Sequence, residues 1–332
     1  QQSLQKMAAR AHKDYQPSIG VCEFGSSIKS LAASDRKMEF NAVVMAQRAQ
    51  DRALGHTGTA AATGEDGDKV SRIRQFRQKF CDTADNNNGL FYLCDHDQDF
   101  AGGPKGAADD ERKNKDIDFA RTVEMPWTLD IDFSNEAVTH NEEEVLALAS
   151  NLYGHNVFVR PPSGTLKDVT GQDITAVQSA YMDARSVVAK RSVAENSYHS
   201  ITAMKAAGAP GSKDFLKAVL AELGVDGEGA GPTDITKMLG DNPSYYAQME
   251  VLTKKIYQNP DFYTNLYDKP ANVQRKGVAL QAIGLMQKFD LFKSYLRNEA
   301  SLSVLLELAV MDLQEEVENE INRTVAGGAP SK

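Results

Sequence analysis

Residues 289–325 read FDLFKSYLRNEASLSVLLELAVMDLQEEVENEINRTV, a run with no glycine or proline. Within it Phe292, Tyr295, Leu302, Leu305, Leu306, Ala309, Leu313, Val317 and Ile321 recur at the three-and-four spacing that places apolar side chains along one helical face. The spacing predicts a helical hairpin or bundle. Immediately upstream, Asn242-Pro243 has the cap-then-proline form of a helix start, and Asn259-Pro260 and Lys269-Pro270 separate the elements that follow. Residues 233–326 thus read as a C-terminal helical bundle, and the glycine-containing end, 327–332, as a frayed tail.

The same periodicity recurs twice toward the N-terminus. Over 26–54, Ile28, Leu31, Met38, Ala42, Met45 and Ala49 form a stripe that Asp35 interrupts and Gly55 ends. Over 172–207, again without glycine or proline, Ile174, Val177, Tyr181, Val188 and Tyr198 lie along one side, and Gly208-Ala209-Pro210-Gly211 stops the helix. A shorter helix carries Val70, Ile73, Phe76 and Phe80 after a loop over 55–69. Asn141 is placed to cap another, whose first turn, Glu142-Glu143-Glu144, suits the positive end of the helix dipole. Two short pieces have strand character: 128–133, where apolar and polar residues alternate, and 156–160. The expected fold is mainly α, an elongated multi-helix bundle with long helices and at most a small two-stranded β element. The expected division is an N-terminal helical region (1–81), a polar loop excursion (82–127), a short β element plus long helix (128–232), the C-terminal bundle and the tail. The excursion is rich in Asp, Asn, Gly and Lys, and such composition buries little apolar surface.

With 332 residues, 41% hydrophobic and 25% charged, the chain has the composition of a folded protein rather than a disordered one. Its net charge of −9 repels phosphate backbones and argues against a nucleic-acid partner. No apolar run reaches the ~20 residues that a membrane-spanning helix needs.

Three cysteines are present, Cys22, Cys81 and Cys94. They admit two readings: three unconnected thiols, or a Cys81–Cys94 disulfide around the turn-forming Asp85-Asn86-Asn87-Asn88-Gly89, with Cys22 free or exchanging into the pair. The spacing does not choose between them. The absence of a CxxC pair argues against a thioredoxin-like or zinc-ribbon site. A chain opening at Gln1 is compatible with removal of a signal peptide, which would place it in the periplasm, at the cell surface or outside the cell.

Catalytic signatures are sparse. Asp95-His96-Asp97-Gln98-Asp99 opens like a calcium loop, with carboxylates at alternate positions. The sixth position is Phe100 where the turn needs glycine, and the twelfth is Gly106 where a bidentate Glu belongs. Asp95, Asp97 and Asp99 are therefore only weak metal candidates, and no motif calls for a cofactor. The six histidines show no HExxH or HxH spacing, and no GxSxG elbow, P-loop or GxGxxG turn occurs. His199, beside Glu195 and Tyr198, is the one candidate general base. Tyr245, Tyr246, Tyr257, Tyr263 and Tyr267 form an aromatic-rich stretch suited to a partner surface, since Tyr is enriched at protein contacts.

Two stretches carry a resemblance. Residues 181–198, YMDARSVVAKRSVAENSY, and residues 269–275, KPANVQR, leading into the long apolar helix, resemble periplasmic IcmX/TraW-like proteins of type IVB secretion and conjugation machinery. The resemblance covers the C-terminal half and contains no catalytic motif. It implies a non-enzymatic accessory component in the periplasm or at the cell surface of a Gram-negative bacterium. Its partners would be other proteins of a secretion or cell-envelope assembly, a second copy of the chain included. The competing expectations are a calcium-stabilised surface or adhesin module and an enzyme of unrecognised class.

Overall fold

The computed structural model describes residues 19–94, 110–125, 127–135, 137–153, 157–158, 160–167, 174–214, 216–217, 239–255, 257, 263, 265–267 and 269–327. The calcium-loop candidates Asp95, Asp97 and Asp99 lie outside them. The fold is mainly α. Its principal helices are α1 (Ile19–Ala53), α2 (Glu65–Gln75), α3 (His140–Leu152), α4 (Ala176–Lys205), α5 (Tyr245–Glu250) and α6 (Pro270–Gly327), with short 3-10 and π turns between them. The chain divides into two compact units, one of residues 1–160 and 198–283, the other of 161–197 and 284–332.

The first unit holds the core. Met45 from α1, Val145 and Leu148 from α3, Tyr198 from α4, and Val123, Leu129, Ile131, Phe133 and Ala206 between the helices pack into one buried cluster. Arg48 lies over the Phe133 ring, 4.3 Å from its centroid. The alternation over 128–133 correctly marks Leu129, Ile131 and Phe133 as inward-facing and Asp130 as exposed. It does not make a strand. Among the described residues the sole pairing there is an isolated parallel bridge from Leu129 to Ala206, in which the Leu129 N–H donates to the Lys205 carbonyl at 2.8 Å. The Ile131 N–H turns back onto the Leu129 carbonyl, which ends the ladder after one step. The expected pairing with 156–160 is not present among the described residues.

Several helix starts differ from expectation: α1 begins at Ile19 rather than at 26, and Ser244, not Asn242, caps α5, its hydroxyl accepting the Ala247 N–H. Thr139, not Asn141, caps α3: its hydroxyl accepts the Glu142 N–H at 3.2 Å, while Asn141 Oδ1 accepts the Asp130 N–H at 2.9 Å. Helix α2 begins at Glu65, inside the expected loop, because Glu65, Asp66 and Asp68 favour the positive helix end. Its apolar face is only partly used, with Phe80 buried in the π turn that follows while Val70 and Ile73 remain exposed.

Cys81 and Cys94 are bonded, with an S–S distance of 2.09 Å, and both are buried. Within the loop they close, Asn86, Asn87 and Asn88 all have positive φ, a backbone region in which Asn is among the few tolerated non-glycine residues. The loop is tied to its surroundings by Arg77 Nε donating to the Leu93 carbonyl and Asn114 Nδ2 donating to Asp85 Oδ2. A disulfide closing a loop of this length restricts the unfolded chain by ~3 kcal/mol. Reduction, or paired Cys81→Ala and Cys94→Ala substitution, is therefore expected to lower unfolding free energy by about that amount. Urea melts with and without reductant measure it, and coincident curves would contradict it.

Helix α6 is one continuous 58-residue element. Residues 289–325 within it contain neither glycine nor proline, in keeping with an unbroken helix.

Candidate functional site

Within the first unit, two neighbouring groups of polar side chains are built around α3. At its first turn, Glu142, Glu143 and Glu144 divide by direction. Glu142 is buried and its Oε1 accepts the Asp132 N–H at 2.8 Å, fastening the extended segment to the helix. Glu143 and Glu144 turn to a cluster of cations. Arg112, buried, donates from Nη2 to Glu143 Oε2 at 2.8 Å and from Nε to Glu144 Oε1 at 3.1 Å. Lys79 reaches Glu143 and Lys115 reaches Glu144, each at 3.1 Å, and Asn141 Nδ2 donates to Glu144 Oε2. The Arg112 guanidinium also lies over the Phe80 ring, 5.4 Å from its centroid. Burial pushes the Glu143 carboxyl upward, but hydrogen bonds and charge from Arg112 and Lys79 outweigh it and hold the group below the usual carboxylate range. The polar stretch expected to bury little thus contributes buried Arg112, Asp116, Thr122 and Val123. Its charges enter the interior because α3 presents acids to meet them.

Beside this cluster a cleft of about 290 Å³ opens between α2 and α3. Its polar wall is a relay: Arg72 donates to Asn151 Oδ1, and Asn151 Nδ2 donates to the Asp116 carbonyl at 2.9 Å and to Asp116 Oδ2 at 3.2 Å. Asp116 Oδ1 is buried without a hydrogen-bond partner. Burial raises the Asp116 pKa, opposed by hydrogen bonds from its own backbone and Asn151 and by the Arg72 charge. Arg52 holds Asp68 through two hydrogen bonds of 2.7 and 2.6 Å. Phe76, Phe80 and Ile73 form the apolar wall. The cleft could seat a small polar molecule, but its lining includes one carboxyl, Asp116, and neither a histidine nor a cysteine. No nucleophile and base are paired in it.

The residues singled out by sequence do not converge there. His199 is buried, with no hydrogen-bond partner at Nδ1, and its ring lies 6.1 Å from Tyr198. The Tyr198 hydroxyl donates to the Val145 carbonyl at 2.7 Å, which makes it a core tie. Burial lowers the His199 pKa to about 4, so the imidazole is neutral at pH 7. An unfolded His titrates near 6.5, so its contribution is fully present above that pH and is lost as pH falls toward 4. The loss is roughly 3 kcal/mol. A His199→Leu variant is expected to lose correspondingly less stability than the parent between pH 7 and 4 in urea melts. Equal losses would show that His199 is not the titrating group.

Of the tyrosines, Tyr245 belongs to the core and is not a surface residue. Tyr246, Tyr257, Tyr263 and Tyr267 are exposed, and Tyr263 donates to the Tyr257 carbonyl at 3.1 Å. Tyr246 underlies Lys205, whose ammonium is 4.6 Å from the ring centroid and donates to the Met125 carbonyl at 2.5 Å. Burial lowers the Lys205 pKa against the charges of Glu124 and Glu250. Among the described residues no group of three His, Cys, Asp or Glu side chains is placed to hold a metal ion. None of their helices is long and apolar enough to cross a membrane.

The second unit presents a different surface. Along α6, Leu285, Phe289, Phe292, Leu296, Leu302, Leu305 and Leu306 are each 48–67% exposed. Scattered surface leucines are ordinary, whereas here large apolar side chains recur in water along one helix. The periodicity of this stretch is legible in the sequence, whereas its exposure is not. Comparison with protein-family models, curated proteins and solved structures finds no match to this chain.

Proposed function

We propose that this chain is a non-enzymatic interaction protein working outside the cytoplasm, as an accessory component of a bacterial secretion or conjugation apparatus. The observation that carries the interaction reading is the exposed apolar run of α6, since water-facing Phe and Leu at helical spacing are favourable only when a partner covers them. The Cys81–Cys94 bond supports an oxidising compartment. The resemblance of residues 181–198 and 269–275 supports the secretion or conjugation setting. The cleft beside Asp116 is the observation that favours the rival enzyme reading.

The test is a photo-crosslinking residue placed at Leu302 or Leu306 in the organism that makes the protein, with Tyr92 as an exposed loop control. Adducts specific to the α6 positions, to proteins of the cell envelope or to a second copy, are the expected result. Absence of adducts would overturn the interaction reading, and a phenotype lost in Asp116→Asn and Arg72→Met variants that still fold would then favour an enzyme.

A further inference from the structure

We infer that residues 285–317 of α6 pair with the same residues of a second copy as an antiparallel two-stranded coil. This rests on the interaction reading above and names its partner. Positions 289, 296, 303, 310 and 317, alternating with 292, 299, 306 and 313, follow the three-four repeat of a coiled-coil seam. All are apolar except Glu299 and Ser303 at its centre, and Leu285 extends the seam by one position. Leu285, Phe289, Phe292, Leu296 and Leu306 are exposed, and positions 307, 310, 313, 316 and 317 enter by helical register.

Charge decides the orientation. An antiparallel pair with its two-fold axis near position 301 sets Leu285 against Val317, Phe289 against Leu313, Phe292 against Val310, Leu296 against Leu306 and Glu299 against Ser303. The same register brings Lys293 beside Glu307 of the second copy and Lys288 beside Glu316, each twice by symmetry. A parallel pair instead sets Glu299 against Glu299 and Lys288 beside Lys293, both repulsive. The basic residues of the seam's edges precede its centre and the acidic ones follow it, so the helix is complementary to itself only when reversed. The central Glu299 and Ser303 layers fix the register, because any slip would bury the carboxylate against a hydrocarbon side chain.

The experiment uses the full chain with Cys22→Ser. Sedimentation from nanomolar to tens of micromolar concentration is expected to show a monomer–dimer equilibrium. Lys288→Glu with Lys293→Glu should weaken the dimer by about tenfold or more, and adding Glu307→Lys with Glu316→Lys should restore it. Under mild oxidation Leu302→Cys should form a disulfide-linked dimer and Phe289→Cys should not. Circular dichroism confirms that each variant is folded. A monomer at every concentration, no rescue by the fourfold reversal, or linkage through Phe289→Cys in place of Leu302→Cys overturns the inference. A monomer that still gives α6-specific adducts to another envelope protein removes self-pairing alone, whereas a monomer with no adducts removes the interaction reading as well.

Discussion

An Arg112→Met variant is expected to unfold with roughly 3–5 kcal/mol less stability than the parent chain. Arg112 bridges Glu143 and Glu144, and the Glu144 side chain is only 2% exposed. Methionine fills much of the arginine volume, so the loss comes chiefly from the guanidinium and its contacts with the two carboxylates and the Phe80 ring. Glu143 then keeps Lys79 and Glu144 keeps Lys115, each at 3.1 Å, with the Asn141 amide still donating to Glu144. Removing one partner of a buried ion pair costs more than the pair is worth, because the Glu144 carboxylate, 2% exposed, cannot return to water to replace the lost guanidinium contact. The corresponding fall in Tm is roughly 6–20 °C for a domain of this size. Adding Glu144→Leu to Arg112→Met is expected to recover part of the loss, since the more deeply buried of the two carboxylates goes with it. If Arg112→Met falls within about 0.5 kcal/mol of the parent, the cluster behaves as an exposed surface pair and its burial is refuted.

Gly208→Ala is the second large effect, at about 3 kcal/mol or more. A Cβ at this position would lie 2.1 Å from the Pro243 carbonyl oxygen and 2.9 Å from Ser34 Oγ. The first obstacle is backbone, and it cannot rotate away. Around it the Gly208 N–H donates to the Asn242 carbonyl, Ser34 Oγ accepts from Ala209 N–H and Gln248 Nε2, and Lys37 Nζ reaches both the Gly208 carbonyl and Asp132. Relieving the clash would therefore loosen α1, the end of α4 and the start of α5 together. Gly164→Ala, where an added Cβ meets nothing within 4 Å, is the control and should be near neutral. Equal melting of the two variants would show that residues 208 and 243 are not in close approach.

Local chemistry was legible without coordinates. Apolar residues at three-and-four spacing specify α1, α4 and α6, because a helix repeats every 3.6 residues whatever it packs against. Asp85 to Gly89 announced a turn and Cys81 and Cys94 lie close enough along the chain to close it, while the asparagines tolerate positive φ through their own side chains. The polar stretch before residue 127 was harder. Arg112, Lys113 and Lys115 were visible as positive charge, but their acids, Glu143 and Glu144, lie about thirty residues away, and pairing at that distance is a property of the packed chain. The cleft at Asp116 was illegible for the same reason, since Arg72, Asp116 and Asn151 meet only after three separate segments fold together.

Residue chemistry and a fixed local period specify that α1, α4 and α6 are long helices and which of their faces are apolar. Packing selects which apolar faces are used up inside the chain. It buried Met45, Val145 and Tyr198 together and left Phe289, Phe292 and Leu306 in water. It also turned the strand-like 128–133 into an extended segment held by one bridge, with Gly208 pressed against Pro243 nearby. Burial and pairing depend on what else arrives at the same place, and a linear pattern carries no record of that.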